Sequence, residues 1–298
     1  MTAQAPAPEA TPESAATPPV DLAQLLATEH GNSLAKHPAV RPIVREHAKS
    51  CPLLYFYAPS STGKTTLGGT LMKHPDYRPT LLIGIEPGDD TIGELTSNET
   101  LCTRRVFEGE PSSQLTWIYD TLDAAADIEC SAIIIEGLAS WQRLAVSRSL
   151  RTAPKASGNA LRRLYIEPSS RTASVVGAIY DLKLKRRARK RGVPIIVTLN
   201  TRVSGSDDTK QIVPGFSENL CEEAMQNAEG FIELRRSPSG VSMFTQKTDT
   251  NPFRKLRHPI AAQTIESHVD LTLPGMLALW ALTIHVKADV LSKQLTGH

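Results

Sequence analysis

Residues 58–66, with the sequence APSSTGKTT, contain the residue types that bind a chain of phosphates. In the pattern G-x-x-x-x-G-K-[ST], backbone N–H groups cradle phosphate oxygens, the lysine neutralises the β- and γ-phosphates, and the hydroxyl binds Mg²⁺. Ala58 stands where the first glycine would be, which is unfavourable only if the backbone there needs a positive φ. The sequence therefore predicts a site for ATP and Mg²⁺ formed by Ala58, Pro59, Ser60, Ser61, Thr62, Gly63, Lys64, Thr65 and Thr66.

Three polar residues stand at the ends of later apolar runs. Glu86 ends TLLIGIE, Glu136 ends AIIIE and Asn200 ends PIIVTLN. Hydrolysis of a bound nucleotide needs an acid beside the metal and a group that activates water, so we expect Glu136 to hold Mg²⁺ and Glu86 to act as general base. Ordinary carboxylates at strand ends are the alternative for both. Asn200 is equally consistent with sensing the γ-phosphate and with simple turn chemistry.

Elements of two kinds must position these residues. From residue 52, continuous apolar runs alternate with helical patterns, which is typical of parallel strands buried on both faces and joined by helices. The run LLYFY precedes the phosphate-binding pattern and a helix-compatible segment follows it. Two more runs, GFIELRR and GVSMFTQKT, predict an antiparallel hairpin. The predicted fold class is α/β, with a mostly parallel central sheet flanked by helices and a C-terminal hairpin at the sheet edge.

Composition divides the chain into four predicted segments. They are a disordered Ala/Pro-rich tail at 1–20, a helix and linker at 21–50, an α/β core at 51–260 and a helical segment at 261–298. The tail has too few large apolar side chains to offset the entropy of ordering. In the second segment, Asp21 is the expected N-cap of a helix over 21–36, and Pro38 and Pro42 mark the linker. In the last segment we expect a helix over about 274–291.

Overall charge favours no class of partner. The 298 residues include 33 Lys and Arg and 31 Asp and Glu, for a formal net charge of +2, so attraction to nucleic acid has to come from local clusters. The N-terminus lacks the basic and apolar regions of a signal peptide, and the longest apolar run is too short to cross a bilayer. Four cysteines form no metal-binding or redox spacing. We therefore expect a cytoplasmic protein with no membrane partner.

Basic residues cluster in two places. Residues 183–191, KLKRRARKR, contain seven basic side chains in nine, which could neutralise the phosphates of single-stranded nucleic acid. They are equally consistent with the solvated last turn of a helix, where cations favour the helix dipole. A second group lies in the predicted loop-like stretch after Glu136. The nucleic-acid candidates are Arg151, Lys155, Arg162, Arg163, Lys183, Lys185, Arg186, Arg187, Arg202 and Lys210.

From about residue 52 to 260, the chain resembles the RecA-type recombinase ATPases, especially their small phage relatives associated with single-strand annealing. APSSTGKTTL resembles the phosphate loop of that family, and LLIGIEPGDD resembles the strand whose terminal glutamate activates water. AIIIEGLASW resembles the Mg²⁺-binding strand, with glutamate in place of the usual aspartate. IIVTLNTRV resembles the strand whose terminal amide senses phosphate. The resemblance implies a RecA-like P-loop fold and an ATP-hydrolysing enzyme.

The same resemblance implies residue roles and partners. The implied catalytic and metal-binding residues are Glu86, Lys64, Asn200, Thr65 and Glu136. Residues 203–219 would form a mobile loop that contacts single-stranded DNA, and Lys247 would reach the ATP of a neighbouring subunit. We therefore expect DNA-stimulated hydrolysis in recombination, annealing or replication, and self-association into a ring or filament. A single-strand-binding or annealing protein is a further expected partner.

Two other functions stay open at this stage. A P-loop kinase for a small molecule would need an arginine-rich lid, for which residues 183–191 are the candidate. A nucleotide-binding scaffold with weak turnover is the other, because Ala58 and Glu136 both depart from the usual residues. Phosphate release, phosphotransfer and binding without turnover distinguish the three functions.

Overall fold

The computed structural model describes residues 20–85, 100–104, 111–153, 155–204, 211–248, 251–257 and 271–296. The helices are α1 Leu22–Thr28, α2 Gly31–Leu34, α3 Arg41–Lys49, α4 Lys64–Lys73, α5 Pro111–Ala125, α6 Leu138–Thr152, α7 Gly158–Ala188, α8 Glu218–Asn227 and α9 Leu273–Thr296. The strands are β1 Leu53–Ala58, β2 Thr80–Gly84, β3 Thr100–Arg104, β4 Ala132–Glu136, β5 Ile195–Ser204, β6 Gln211–Pro214, β7 Gly230–Ser237, β8 Gly240–Phe244 and β9 Lys255–Leu256.

One sheet organises these elements, with the strand order β3-β2-β4-β5-β1-β7-β8. All neighbours from β3 to β7 are parallel, and β8 returns antiparallel to β7. The predicted fold class is confirmed, including the hairpin at the sheet edge. We call the edge where the parallel strands end the carboxyl edge, and the edge where they begin the amino edge. Ligands of such sheets bind at the carboxyl edge.

Both faces of the sheet are buried, which explains the continuous apolar runs. Along β1, Leu53, Tyr55 and Tyr57 pack into the core on one face, while Leu54 and Phe56 pack into the core on the other. This alternation follows from the two-residue period of a strand. Helices α5 to α8 cover the first face, and α2, α4 and α9 contribute to the second. The helices next to the phosphate-binding pattern are therefore held on a rigid base.

The N-terminal segment differs in part from the prediction. Asp21 caps α1 as expected, since its side chain accepts hydrogen bonds from the N–H groups of Ala23 and Gln24. The helix ends at Thr28, however, and α2 is separate. The predicted linker contains α3, because Pro42 lies in the first helical turn, where a missing N–H costs nothing.

The helix near the C-terminus packs across the second face. Eight apolar side chains of this helix between Leu273 and Leu282 are buried, among them Trp280, which is 1% exposed, and the helix contacts α1, α2, α3 and α4. Its approach to α2 is close: a Cβ on Gly31 would stand 2.7 Å from a methyl group of Leu279. Of the helices in the described ranges, none is both long enough and apolar enough to span a membrane.

Two stretches that were predicted as loops contain regular structure in their described residues. The residues after Glu136 form α6 and α7, and α7 continues through Pro168. The strand predicted to end at Asn200 continues as β5 to Ser204 and pairs with β6, so the predicted loop at 203–219 contains a hairpin. Helix α8 then begins at Glu218. Sequence patterns failed here because tertiary pairing outweighed the local break signals.

Candidate nucleotide-binding site

The phosphate-binding pattern forms the expected strand–loop–helix. β1 ends at Ala58 and α4 begins at Lys64. Gly63 has φ +100° and ψ 24°, a left-handed conformation that side chains disfavour, so the glycine of the pattern is required there. Ala58 is the last residue of a strand, fully buried and without positive φ. Alanine in place of the first glycine therefore causes no backbone strain.

Lys64 and Thr65 connect the loop to the sheet. The Nζ of Lys64 donates to the carbonyl oxygens of Ala58 at 3.0 Å and Pro59 at 2.9 Å. The Thr65 hydroxyl donates to Oε1 of Glu136 at 2.8 Å. Glu136 is only 4% exposed, although it carries a carboxylate at the end of an apolar strand. The structure thus brings together three residues that the sequence predicted to share one site.

The donor set at this point fits Mg²⁺. A hydroxyl and a carboxylate are hard oxygen ligands, and Mg²⁺ is usually held by one or two such groups together with phosphate oxygens and waters. Among the described residues, no group of three His, Cys, Asp or Glu side chains is placed to hold a metal ion. Thr65 and Glu136 thus offer two oxygen donors to such an ion.

Glu86, the predicted general base, lies outside the described residues. The strand that leads to it is described: Gly84 is paired with Glu136, and the N–H of Ile85 donates to the Glu136 carbonyl at 2.9 Å. Ile85 directly precedes Glu86 in the sequence. The last described residue before Glu86 therefore lies beside the strand end that carries the Thr65–Glu136 pair.

Asn200 is the register partner of Ala58 in the neighbouring strand. Its carbonyl accepts a hydrogen bond from the N–H of Gly215 at 2.8 Å. A Cβ on Gly215 would stand 2.6 Å from that carbonyl oxygen, so only glycine permits this approach. Asn200 is thus held beside the first residue of the phosphate loop, and Gly215, which directly follows β6, packs against its carbonyl.

A second contact with the loop was missing from the sequence interpretation. Arg236, near the end of β7, donates from Nη1 to the carbonyl of Ser61 at 3.2 Å. Val241, its partner on β8, has a methyl carbon 3.9 Å from where a Cβ of Gly63 would stand. The β7–β8 hairpin therefore lies against the loop. The only signal in the sequence was the pair of arginines that ends GFIELRR.

On β7, three residues before Arg236, Glu233 is the centre of a buried polar network. This carboxylate is 1% exposed and accepts from Arg254 at 2.7 Å, Asn251 at 2.8 Å and Arg235 at 2.6 Å. Asn251 also donates to the Tyr57 hydroxyl at 3.1 Å. Burial, with the nearby charge of Glu233 as a smaller cause, raises the pKa of Tyr57. The network ties β7 to β1, which is the strand that leads into the phosphate loop.

Lys247 follows β8, which runs from Val241 beside the phosphate loop towards Phe244. It is exposed and lies near Lys255, whose β9 pairs with the first residues of β7 at the amino edge. The pKa of Lys255 is lowered by burial first, and then by the charges of Arg257 and Lys247 among others. A role for Lys247 in nucleotide binding therefore depends on a neighbouring subunit.

Some of the nucleic-acid candidates line an open groove beside the carboxyl edge. The groove has a volume of about 1030 Å³ and lies between α6, the first half of α7 and the segment after β6. Arg151 and Arg202 line it, with the Arg202 Nε donating to the Phe216 carbonyl at 3.0 Å. Tyr165, which is 47% exposed, lines it too and was not predicted. Lys155, Arg162 and Arg163 are exposed nearby in sequence, and Lys210 lies outside the described residues.

The basic segment 183–191 lies at the amino edge, where α7 ends. The nucleic-acid prediction is wrong for Lys183 and Arg186, which are 3% and 1% exposed. Lys183 pairs with Glu229 at 2.5 Å. Arg186 donates to the carbonyls of Ala125, Ile128 and Arg191 at 2.7, 3.0 and 2.9 Å. These cations satisfy buried oxygens and cannot reach a phosphate.

The remaining side chains of this segment are at the surface. Lys185 pairs with Asp123 and Arg189 with Asp127, each at 2.6 Å, and Arg187 is exposed. All of them lie at the amino edge, whereas the phosphate loop lies at the carboxyl edge. The segment therefore cannot close over that loop as the lid of a kinase.

Comparison with known proteins gives only distant similarity. No protein-family model and no curated protein matches the chain. Among solved structures, the assembled ATPase EscN of the type III secretion system of enteropathogenic E. coli is 15% identical with a TM-score of 0.40, covering 63% of this chain and 43% of EscN. A prototypical ATPase from the type III secretion system of pathogenic bacteria is 16% identical with a TM-score of 0.40, covering 62% and 52%.

EscN in complex with its central stalk EscO is 13% identical with a TM-score of 0.42, covering 76% of this chain and 53% of that one. The chain spans about half the length of these proteins. Similarity at this level assigns no family, activity or partner to the chain.

Proposed function

We propose that this chain is a RecA-like P-loop ATPase that converts ATP and water to ADP and phosphate. The contact between Thr65 and Glu136 carries the proposal, because it joins the loop to a buried carboxylate at the carboxyl edge at 2.8 Å. A solvated Ser/Thr/Gly turn needs no such partner. The left-handed Gly63 and the lysine that follows it add the backbone and charge that phosphates require.

Each residue has a defined task in this proposal. Lys64 exchanges its two loop carbonyls for the β- and γ-phosphate oxygens, and Thr65 and Glu136 hold Mg²⁺. When bound, Mg²⁺ supplies charge stabilisation at the phosphates. Glu86 accepts the proton of the attacking water, and Asn200, beside Ala58, passes the state of the γ-phosphate to the β5–β6 hairpin.

We further propose that the groove beside that hairpin binds single-stranded DNA. Binding without sequence preference combines cations along the backbone with aromatic rings on which bases stack. Arg151, Arg202 and the half-exposed ring of Tyr165 provide that combination, and the surface of the basic segment 183–191 lacks it. A ring or filament in which Lys247 reaches a neighbouring ATP, and an annealing or single-strand-binding partner, belong to the same proposal.

An assay of ATP hydrolysis tests the proposed function. Phosphate release is measured alone and with single-stranded DNA, double-stranded DNA or RNA, at several salt concentrations. We expect single-stranded DNA to stimulate release most, with an effect that falls as salt rises. Absence of ATP binding by the wild-type chain contradicts the whole proposal, and phosphotransfer to a small molecule without phosphate release indicates a kinase.

Three substitutions distinguish the two candidate DNA surfaces. Arg151→Ala and Tyr165→Ala each change the groove, whereas Arg187→Ala changes the amino edge. The first two are expected to weaken binding of a fluorescent oligothymidine, with a lower salt slope for Arg151→Ala only, since Tyr165 carries no charge. If Arg187→Ala alone weakens binding, the groove is the wrong surface.

A further inference from the structure

The contact between Arg236 and Ser61 crosses from the edge hairpin to the middle of the phosphate loop. The two residues are 175 positions apart in sequence, and the guanidinium donates to a main-chain carbonyl rather than to a side chain. The contact is therefore a hydrogen bond to the backbone and not a salt bridge. Among the described residues other than glycine, a positive φ occurs at Cys51, Lys190 and Ser61, where it is +61°. The arginine thus meets the loop at its least favourable backbone position.

The geometry of the peptide bond gives this contact a consequence for phosphate binding. In a trans peptide, the carbonyl of one residue and the N–H of the next point in opposite directions. A donor that holds the Ser61 carbonyl therefore also fixes the direction of the Thr62 N–H. Thr62 is 5% exposed, between Ser61 and the left-handed Gly63. Successive N–H groups in such turns make the concave sites that bind anions.

Arg236 is itself held in a fixed place. The ladder pairs Tyr57 of β1 with Glu233 of β7, three residues before Arg236, and pairs Arg236 with Val241. The buried carboxylate of Glu233, with Arg254 and Asn251 bound to it, keeps this end of β7 from shifting. The guanidinium therefore reaches the loop from a rigid support.

We propose that Arg236 is a positioning residue of the nucleotide site, which holds the Ser61–Thr62 peptide so that its N–H faces the phosphates. This inference rests on the proposed nucleotide binding and adds the hairpin as a part of that site. It predicts that Arg236 affects ADP and ATP alike, because the loop cradles phosphates that both nucleotides carry. A guanidinium that touched the γ-phosphate would instead favour ATP alone.

The test measures dissociation constants of ADP and ATP, by displacement of a fluorescent nucleotide, for the wild type, Arg236→Lys and Arg236→Ala. Loss of one exposed charge-assisted hydrogen bond predicts affinities for both nucleotides lower by roughly five- to tenfold in Arg236→Ala. We expect a smaller loss in Arg236→Lys and partial recovery of Arg236→Ala with added guanidinium ion. Turnover at saturating ATP should change little.

Arg257→Ala is the matched control, since it removes an exposed arginine beside β7 at the opposite edge. Thermal unfolding of each variant shows whether a loss of affinity reflects loss of fold. Equal affinities of Arg236→Ala and the wild type, or a loss confined to ATP, overturn the positioning role while the proposed ATPase stands. Failure of the wild type and Arg257→Ala to bind either nucleotide overturns both.

Discussion

The two edges of the sheet use charged residues in opposite ways. At the carboxyl edge, Lys64 bonds to loop carbonyls and Glu136 to a hydroxyl, so both charges are next to groups that a ligand can replace. At the amino edge, Lys183 pairs with a carboxylate and Arg186 with three carbonyls inside the protein. Lys183 and Arg186, which belong to the densest basic cluster in the sequence, therefore stabilise the fold instead of facing a ligand.

The direction of the chain explains this difference. In a parallel α/β sheet, helices begin at the carboxyl edge, where their first N–H groups are free to bind anions. Helices end at the amino edge, where their last carbonyls need donors. Arg186 meets that need by bonding to the carbonyls of Ala125 and Ile128, at the end of α5. Arg186 is thus engaged by the fold itself, like Lys183 with its partner Glu229.

The largest effect is expected from Lys64→Ala. Removing this cation takes away the charge that would neutralise the β- and γ-phosphates, and we expect ATP turnover to fall on the order of a thousandfold. Stability should change little, because the lysine is partly exposed and donates to carbonyl groups of the loop itself. Phosphate release and thermal unfolding measure the two quantities. Turnover of Lys64→Ala near the wild-type rate would contradict the proposal that the charge at the carboxyl edge serves a ligand.

The opposite pattern is expected from Lys183→Met at the amino edge. Its loss leaves Glu229 without its ammonium partner in a site where the two side chains are 4% and 15% exposed. We expect the free energy of unfolding to fall by about 3 kcal/mol, with the nucleotide affinity of the folded protein unchanged. Urea unfolding measures the loss, and Lys185→Ala, which breaks an exposed pair, is the control that should change far less.

Glu136→Gln tests whether the carboxylate acts through its charge. The amide oxygen can still accept the hydrogen bond of Thr65, so the loop stays joined to β4, but Mg²⁺ loses a negative ligand. We expect turnover to fall about a hundredfold and to need more Mg²⁺. Glu136→Asp keeps the charge and shortens the reach by one methylene. Full turnover by the glutamine variant would mean that the metal is held elsewhere.

The smallest effect concerns Asp76, which follows α4 near the amino edge. Hydrogen bonds from Arg41, opposed by burial and supported by Arg45, lower the pKa of Asp76 from 3.8 to about 2. Because the pKa is lower in the folded state, the stabilisation is fully present above pH 3.8 and is lost as the pH falls towards 2.

We expect Asp76→Asn to lower the free energy of unfolding by about 1 kcal/mol at pH 7, a small value because both arginines reach solvent. Urea unfolding at pH 7, 3 and 2 measures the difference from the wild type. A difference that persists unchanged at pH 2 contradicts this origin.

Much of the fold was predictable because its signals are local. Four of the parallel strands are apolar runs, and the phosphate loop carries its own pattern of glycine, lysine and hydroxyl. The edge strand at Thr100–Arg104, the helix through Pro168 and the continuation of β5 to Ser204 were not predicted. Each depends on neighbours far away in the chain, which a pattern within one segment does not contain.

The sequence by itself determined the strand–loop–helix at residues 58–66 and the residue types at the strand ends, because these follow from short-range periodicity and from glycine at position 63. Only the tertiary structure decided which charges share a site. It joined Thr65 to Glu136, brought Arg236 to Ser61, and buried Lys183 and Arg186 at the far edge. The reason is physical. Strand order and direction determine which strand ends lie side by side, and burial determines which cations remain available to a ligand.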